Sequence, residues 1–525
     1  MKKIKILWRR KGIMKLIKFI ILFFISSSFL SAQQWEDAVR MTNTGSSGLT
    51  WNTQIGTVGD TVHYIWSDGR NSVSMQRIDV YYKRSSDAGE TWDDDINLTN
   101  FPNDNMLAFS SCIEVDGQNL YVVFENYISG FTQLYFIRST NGGNSWEEPT
   151  LLIDYSQVSG NVEHPNIVSF GSIVHVVYRA NQSANEPGKL YYLRSNDYGV
   201  SWSEPVHLAS PPSITGQSWH IRNNSHITIS GDKLYVTYSA RTLTGMGETK
   251  AALIKSVDGG LNWGQPHYFA ESEPGKDIQY INTVKTGSVL HAVLSYWSLS
   301  SGMEGHSYYI RSNDEGLNWQ DSTQLDNNAP DHAILYPSIT VSGNNMYITN
   351  TQDYMFNSEI ICNTSTDNGI TWQPVVIVDT VVVEVKKMWP HIAATNGKLH
   401  LIWSDNRDDE WSNEIYYCCA DIPTVGIENN EIIKSFELLQ NYPNPFRDET
   451  TISFGLKNQT KITIEVFNIT GQKVKTLLNK KMQAGNHEIN WNGCNETGDL
   501  LTNGFYFYKL ETGIHSQTQK MLLIR

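Results

Sequence analysis

Over most of the chain, apolar and polar positions alternate in runs of five or six residues. Val80-Tyr81-Tyr82-Lys83-Arg84, Leu134-Tyr135-Phe136-Ile137-Arg138 and Leu190-Tyr191-Tyr192-Leu193-Arg194 are three of them. A period of two sends successive side chains to opposite faces, so each run predicts a short β-strand. The same punctuation follows each run. Ser85-Ser86-Asp87-Ala88-Gly89-Glu90-Thr91-Trp92 returns at Ser139–Trp146, Ser195–Trp202, Ser256–Trp263, Ser312–Trp319 and Ser365–Trp372.

This punctuation has the chemistry of a hairpin turn. A carboxylate or amide at Asp87, Asn141, Asp197, Asp258, Asp314 and Asp367 accepts bonds from turn N–H groups. The glycine two positions later permits φ > 0 where a side chain would clash. The tryptophan is expected to start the next strand and to wedge between neighbouring sheets. Successive tryptophans lie between 53 and 61 residues apart, room for four short strands. In the third repeat these are Pro165–Ser169, Ile173–Tyr178, Leu190–Arg194 and a strand from Trp202. Four strands per repeat predict the blade of a β-propeller. A further set, Trp389–Ala393, Leu399–Trp403 and Glu414–Tyr417, has neither the turn motif nor a fourth strand. Trp35–Thr42 has the look of the strands from Trp92 and Trp202 and precedes Trp92 by 57 residues. The expectation is an all-β, seven-bladed ring whose N-terminal strand closes the last blade, leaving no free edge there. Six blades, with Trp389–Tyr417 unclosed, is the alternative.

The two ends read differently. Lys15 and Lys18 flank an apolar run, Leu16–Leu30, that ends in Ser31-Ala32-Gln33. A basic start, an apolar centre and a small-residue cleavage site predict a signal peptide over residues 1–32. No later stretch has the length of a transmembrane span. The propeller is expected over 33–420 and a linker over 421–435. From 436 to 525, short alternating runs separated by Gly471-Gln472, Asn492-Gly493 and Asn503-Gly504 predict a small Ig-like β-sandwich.

Composition narrows the function. Aromatics make up 11% of the 525 residues, which favours packed β structure over disorder. The net charge is −14 and no basic face follows the first 18 residues, which argues against nucleic acid. Five cysteines lack metal-ligand spacing, so neither a metal nor another cofactor is expected, and they read as small buried residues. Cys418 and Cys419 adjoin in one strand and should face opposite ways.

The turn motif is that of the Asp box, and residues 35–420 resemble the sialidase superfamily, whose members carry such BNR repeats. The resemblance implies a propeller and an extracellular glycan or glycoprotein as partner. Its enzymes use three arginines to clamp a carboxylate, a Tyr activated by Glu, and an Asp acid/base. The first-blade Arg-Ile-Pro of those enzymes is absent; Leu49-Thr50-Trp51-Asn52-Thr53 stands there, and no catalytic residue carries over. The C-terminal stretch resembles the type A sorting domain of the type IX secretion system. Leu439-Gln440-Asn441-Tyr442-Pro443-Asn444-Pro445-Phe446, Phe467-Asn468-Ile469-Thr470-Gly471-Gln472, Gly504-Phe505-Tyr506 and Lys520–Arg525 carry that likeness. It implies the type IX machinery as partner and a secreted or cell-surface protein.

Asp-box turns lie at one rim, so a ligand is expected on the opposite face. Two related loops are expected there: Trp66-Ser67-Asp68-Gly69-Arg70 and Trp403-Ser404-Asp405-Asn406-Arg407. They read either as a paired rim for a polar ligand or as turns with local Asp–Arg pairing. The first-strand entries add Glu163-His164-Pro165, Trp219-His220-Ile221-Arg222, Tyr280, Tyr336-Pro337 and Trp389-Pro390-His391, with Asp331-His332 nearby. Aromatic and histidine side chains converging near an axis stack on sugars and bond hydroxyls, or simply pack the channel. The reading is a glycan-recognising or glycan-processing protein. A non-catalytic adhesion or scaffold propeller and an exo-sialidase with a non-standard site are the alternatives.

Overall fold

The computed structural model describes residues 33–422 and 436–524, apart from 45–49, 73–76, 102–106, 129, 156–159, 182–186, 211–218, 222–224, 243–248, 274, 299–303, 327–332, 355–356, 381–384, 396, 410–411, 439–440, 442, 457–458, 470, 484 and 513–514. The expected signal peptide and nearly all of the expected linker lie outside these residues. The described elements are all β-strands. They fall into two compact units, residues 1–425 and 426–525.

The larger unit repeats one antiparallel sheet. Thr50–Val58, Thr61–Asp68, Asp79–Ser85 and Ile96–Asn97 pair in chain order. The order returns from Leu107–Asp116 to Thr150–Ile153 and from Asn161–Phe170 to Val206–Ala209. In the next sheet the first strand is split into Trp219–Ile221 and His226–Ser230, both paired with Lys233–Thr242. Two more sheets begin at Lys276 and Ala333, joined by a single parallel pairing of Gly305 with Ala333. The last takes Lys387–Ala394, Lys398–Asp409 and Ser412–Asp421, and its fourth strand comes from the N-terminus: Val39 pairs with Tyr417 and Arg40 with Tyr416. A bridge from Trp35 to Ala420 extends this contact. First strands pack on first strands from sheet to sheet, and Lys387–Ala394 packs back on Thr50–Val58. Thr53 Oγ1 donates to Trp389 O (2.9 Å) and Thr57 Oγ1 to Ala394 O (2.8 Å) at that junction.

The Asp boxes are joints between sheets. Inside each box the Ser hydroxyl donates to the Asp, or to Asn141 in the second box, and that side chain accepts the N–H four residues on, as Ser85, Asp87 and Thr91 show at 2.7 and 2.8 Å. The tryptophan then leaves the ladder, which corrects the expectation that it opens the fourth strand. That strand resumes only at Ile96, Thr150, Val206, His267, Thr323 and Val376. In all but one box the ring lies instead edge-on against an aromatic of the preceding sheet: Trp146 on Tyr82 (4.9 Å), Trp202 on Phe136 (5.0 Å), Trp263 on Tyr192 (4.9 Å) and Trp372 on Tyr309 (4.8 Å), whereas Trp319 stacks on Phe269 (4.3 Å). Trp92 lies edge-on against Tyr417 at 5.0 Å, bringing the first box against the last sheet. Such pairs contribute about 0.5–1.5 kcal/mol each beyond buried area.

A second device lies behind the tryptophans. His63, His175, His291 and His400 set Nδ1 2.6–2.7 Å from Tyr82, Tyr192, Tyr309 and Tyr417 Oη. Where the outer residue is apolar, the inner one is tyrosine, as in Tyr121 beside Phe136 and Tyr235 beside Leu253. The polar pair appears only as a matched pair, because a buried imidazole without a partner is costly. The cysteines fill gaps: all five are free and buried. Cys418 packs in a cluster with Tyr347 and Trp403, and Cys419 in one with Tyr64 and Trp66.

In the smaller unit, Phe436–Leu438, Thr450–Leu456 and Gly485–Trp491 form one sheet. Lys473–Met482, Thr460–Asn468, Gly504–Thr512 and His515–Leu523 form the other. Ile452 and Phe454 from the first share one core with Ile464, Tyr508 and Met521 from the second.

Candidate functional site

The site arises from a defect repeated in the first strands. Pairing slips by one residue between Trp51 and Gln54, Phe109 and Cys112, Glu163 and Asn166, Leu335 and Ser338, and Met388 and His391. In each slip sits a non-glycine residue with positive φ: Asn52 (58°), Ser110 (46°), His164 (52°), Tyr336 (54°) and Trp389 (54°). Left-handed backbone costs an L-residue about 1–2 kcal/mol, and bulky residues adopt it rarely. Bulges of this kind re-aim side chains, and strain so repeated marks a candidate functional site. Proline follows His164, Tyr336 and Trp389 directly, at a bulge position where its missing N–H loses no ladder bond.

All five strained residues line one cavity of about 200 Å³. His226, Tyr280 and His391 join them, so every first strand of the larger unit contributes. Tyr336 is the aromatic hub, 5.1 Å from Tyr280 and 5.5 Å from Trp389. Burial lowers the pKa of His164, His226 and His391 to about 4, so all three are neutral at physiological pH. Gln54 Nε2 lies 3.3 Å from His391 Nε2, and Thr283 Oγ1 lies 3.1 Å from His226 Nδ1. Behind His164, the Ser110 hydroxyl donates to the buried carboxyl of Glu125. Burial raises the Glu125 pKa to about 7. The arrangement offers aromatic faces, neutral imidazoles and amides, which suits a hydroxyl-rich ligand.

The candidates read from sequence divide. His164, Tyr336, Trp389 and His391 meet in this cavity, together with Tyr280. Trp219 and His220 lie in a first strand, paired with Thr242 and Arg241. Arg222, Asp331 and His332 fall outside the described residues. Asp68, Arg70, Asp405 and Arg407 are not among the residues lining the cavity; they form local locks instead. Asp68 is buried and accepts from Trp66 Nε1, the Arg70 amide and Arg70 Nε, each at 2.8 Å, and the guanidinium covers the Tyr81 ring at 4.4 Å. Asp405, Trp403 and Arg407 repeat this over Tyr416, at 4.1 Å. The Asp-box residues Asp87, Asn141, Asp197, Asp258, Asp314 and Asp367 each bond within their own turn. Sequence reasoning missed Asn52, Ser110, His226 and Glu125.

A family model of the BNR repeat-like domain matches residues 21–218 and 201–411, most of the chain. The chain belongs to the BNR repeat-like family. A second model, the secretion system C-terminal sorting domain, matches residues 440–524. This BNR protein is therefore exported by the type IX route to the secreted or cell-surface compartment. No helix among the described residues is long and apolar enough to cross a membrane. A sialidase of Bacteroides fragilis (strain YCH46) is 24% identical over 281 residues, 45% of this chain and 47% of its own length. The match thus spans about half of that relative. Among solved structures, a Hadza microbial sialidase is 14% identical, with 71% of this chain and 66% of that one covered at a TM-score of 0.39. A polysaccharide lyase, an ulvan lyase bound to a GlcA(1-4)Rha3S unit, gives 10%, 73%, 94% and 0.48, and the sialidase of Trypanosoma rangeli with sialic acid gives 11%, 93%, 89% and 0.43.

Proposed function

We propose that this is an exported seven-bladed β-propeller whose central cavity recognises a sugar unit of an extracellular glycan. Domains follow as a signal peptide over 1–32, the propeller over 33–420, a linker over 421–435 and the sorting domain over 436–525. The blade count is supported by the N-terminal strand in the last sheet and by the contact of last first-strand on first. One observation carries the functional reading. Five strained residues, two of them large aromatics, are turned into a single cavity, and a fold that needed only a plugged axis gains nothing from that strain.

The test is a glycan array and a panel of chromogenic glycosides with the full chain, beside Trp389→Ala and Tyr336→Ala. Binding or turnover by the native chain that falls at least tenfold in both variants supports the reading. Retained binding in both removes the cavity from it. The partial sialidase relative favours a second reading, exo-sialidase activity, and release of sialic acid from a fluorogenic sialoside decides that one.

A further inference from the structure

Glu125, Ser110 and His164 form a chain that leads from a buried carboxyl to the cavity. Glu125 comes from the second strand of its sheet, and Ser110 from the bulge of the first. His164 comes from the bulge of the neighbouring sheet. The Glu125 carboxyl accepts the Ser110 hydroxyl and also the backbone N–H of His164. Ser110 Oγ lies 3.5 Å from His164 Nδ1, at the outer limit of a hydrogen bond. A serine hydroxyl has one proton, and well above pH 7, where the Glu125 carboxyl is ionised, that proton is given to Glu125. What Ser110 presents to the imidazole is a lone pair, so Nδ1 must carry the imidazole proton. The tautomer of a neutral histidine is set by the bond its other nitrogen makes.

We propose that Glu125 and Ser110 are positioning residues that hold His164 as the Nδ1–H tautomer, making Nε2 the proton acceptor for a hydroxyl of the bound ligand. The proposal rests on the cavity being a site for a hydroxyl-rich ligand. It goes further in assigning direction: His164 accepts, and the ligand group facing it donates. The chain also accounts for two otherwise costly features, an acidic side chain buried at 6% exposure and a serine with left-handed backbone.

The test reads the tautomer without any ligand. The full chain is labelled with ¹⁵N-histidine and held well above pH 7, where Glu125 is ionised, and the His164 signals are assigned by their loss in His164→Gln. Expected is a protonated, pyrrole-type Nδ1 and an unprotonated, pyridine-type Nε2. In Ser110→Gly, which keeps the left-handed backbone but removes the hydroxyl, the pyridine-type Nε2 signal should be lost or averaged with Nδ1. The signals of His63, His175, His291 and His400 should stay in place, as a fold control. A pyrrole-type Nε2 in the native chain overturns the proposal, as does a Ser110→Gly spectrum with His164 unchanged. If Ser110→Gly fails to fold, the native spectrum alone decides. Absence of binding on the glycan array, with the expected tautomer present, instead defeats the glycan reading on which the ligand assignment rests.

Discussion

If the Asp boxes are joints between sheets, filling the box glycine must loosen the neighbouring sheet. Gly143 is the sharpest place to look. Its φ is +81°, and a Cβ there would lie 1.9 Å from Tyr82 Oη and 2.6 Å from Tyr82 Cζ. Tyr82 is 1% exposed, bonds His63 at 2.7 Å and carries the Trp146 ring edge-on. Gly117, in a strand turn of the same sheet, is the control: φ is +63° and nothing lies within 4 Å of its Cβ. Both alanine variants bear the left-handed backbone cost, about 1–2 kcal/mol. Only Gly143→Ala must also displace Tyr82. Leaving a buried donor or acceptor unpaired costs about 1–3 kcal/mol, and the spoiled aromatic pair about 0.5–1.5 kcal/mol more. Gly143→Ala is therefore expected to be less stable than Gly117→Ala by about 2–4 kcal/mol. Urea unfolding of both full-length variants, followed by tryptophan fluorescence and compared at the midpoint, measures the gap. Tyr82→Phe removes the nearest clashing atom and should recover part of the loss in the double variant. Equal midpoints for the two glycine variants would refute the joint.

The four His–Tyr pairs make a pH prediction. Burial first, then a nearby cation, lowers His63, His291 and His400 to about 4 and His175 to about 3, against 6.5 in the unfolded chain. Between those values the unfolded state binds the extra protons, so stability falls as pH drops from 6.5 towards 4, by about 1.4 kcal/mol per unit for each histidine. Glu125, raised to about 7, acts in the opposite sense: its contribution is present below about 4.5 and lost as pH rises through 7. His175→Phe should flatten the acid limb of a midpoint-versus-pH curve, and an unchanged slope would count against the assignment. Trp389→Gly relieves left-handed strain worth about 1–2 kcal/mol while removing an aromatic wall; its unfolding midpoint should stay near that of the native chain while glycan binding is lost. Deleting residues 436–525 should retain the propeller inside the cell, which fractionation and immunoblotting of the culture medium will show.

The sheets were legible because their signal is local and repeated. Each box places Asp, Gly and Trp at fixed offsets, so its spacing exposes the sheet, and Trp35–Thr42 shows as a displaced fourth strand. The box tryptophans were legible as wedges but not as the point where pairing pauses. Nothing in Trp202-Ser203-Glu204-Pro205 says that the ring's partner is Phe136, a whole sheet away. The strand Lys473–Met482 carries no such signal, because half-exposed and exposed positions follow one another with no clear period. The His–Tyr alternation was present all along, at His63 and Tyr82, His175 and Tyr192, His291 and Tyr309, His400 and Tyr417. It is visible only when second and third strands are aligned, since the paired residues lie 17 to 19 positions apart.

The cavity was harder to read for a reason intrinsic to its construction. A period-two reading assumes an unbroken ladder, and the cavity is made where the ladder breaks. His164 and His391 were found through neighbouring prolines and their own chemistry, whereas Asn52 and Ser110 look like ordinary strand residues until the slip at Trp51/Gln54 and Phe109/Cys112 is known. Residue type alone leaves Asp68/Arg70 and Asp405/Arg407 open between a ligand rim and turns with local pairing, and local pairing is what the structure shows. A carboxylate that accepts an indole N–H, a backbone amide and a guanidinium from its own loop is held there as part of the turn. The two kinds of polar residue in this fold are thus told apart by where their bonds lead. In the locks and boxes the carboxylates bond within their own turns, and Arg407 reaches on to Asp379, just past the last strand of the preceding sheet. At Ser110 and His164 the chain of bonds begins at a buried acid and runs toward the cavity, and its last nitrogen is the one that a ligand can use.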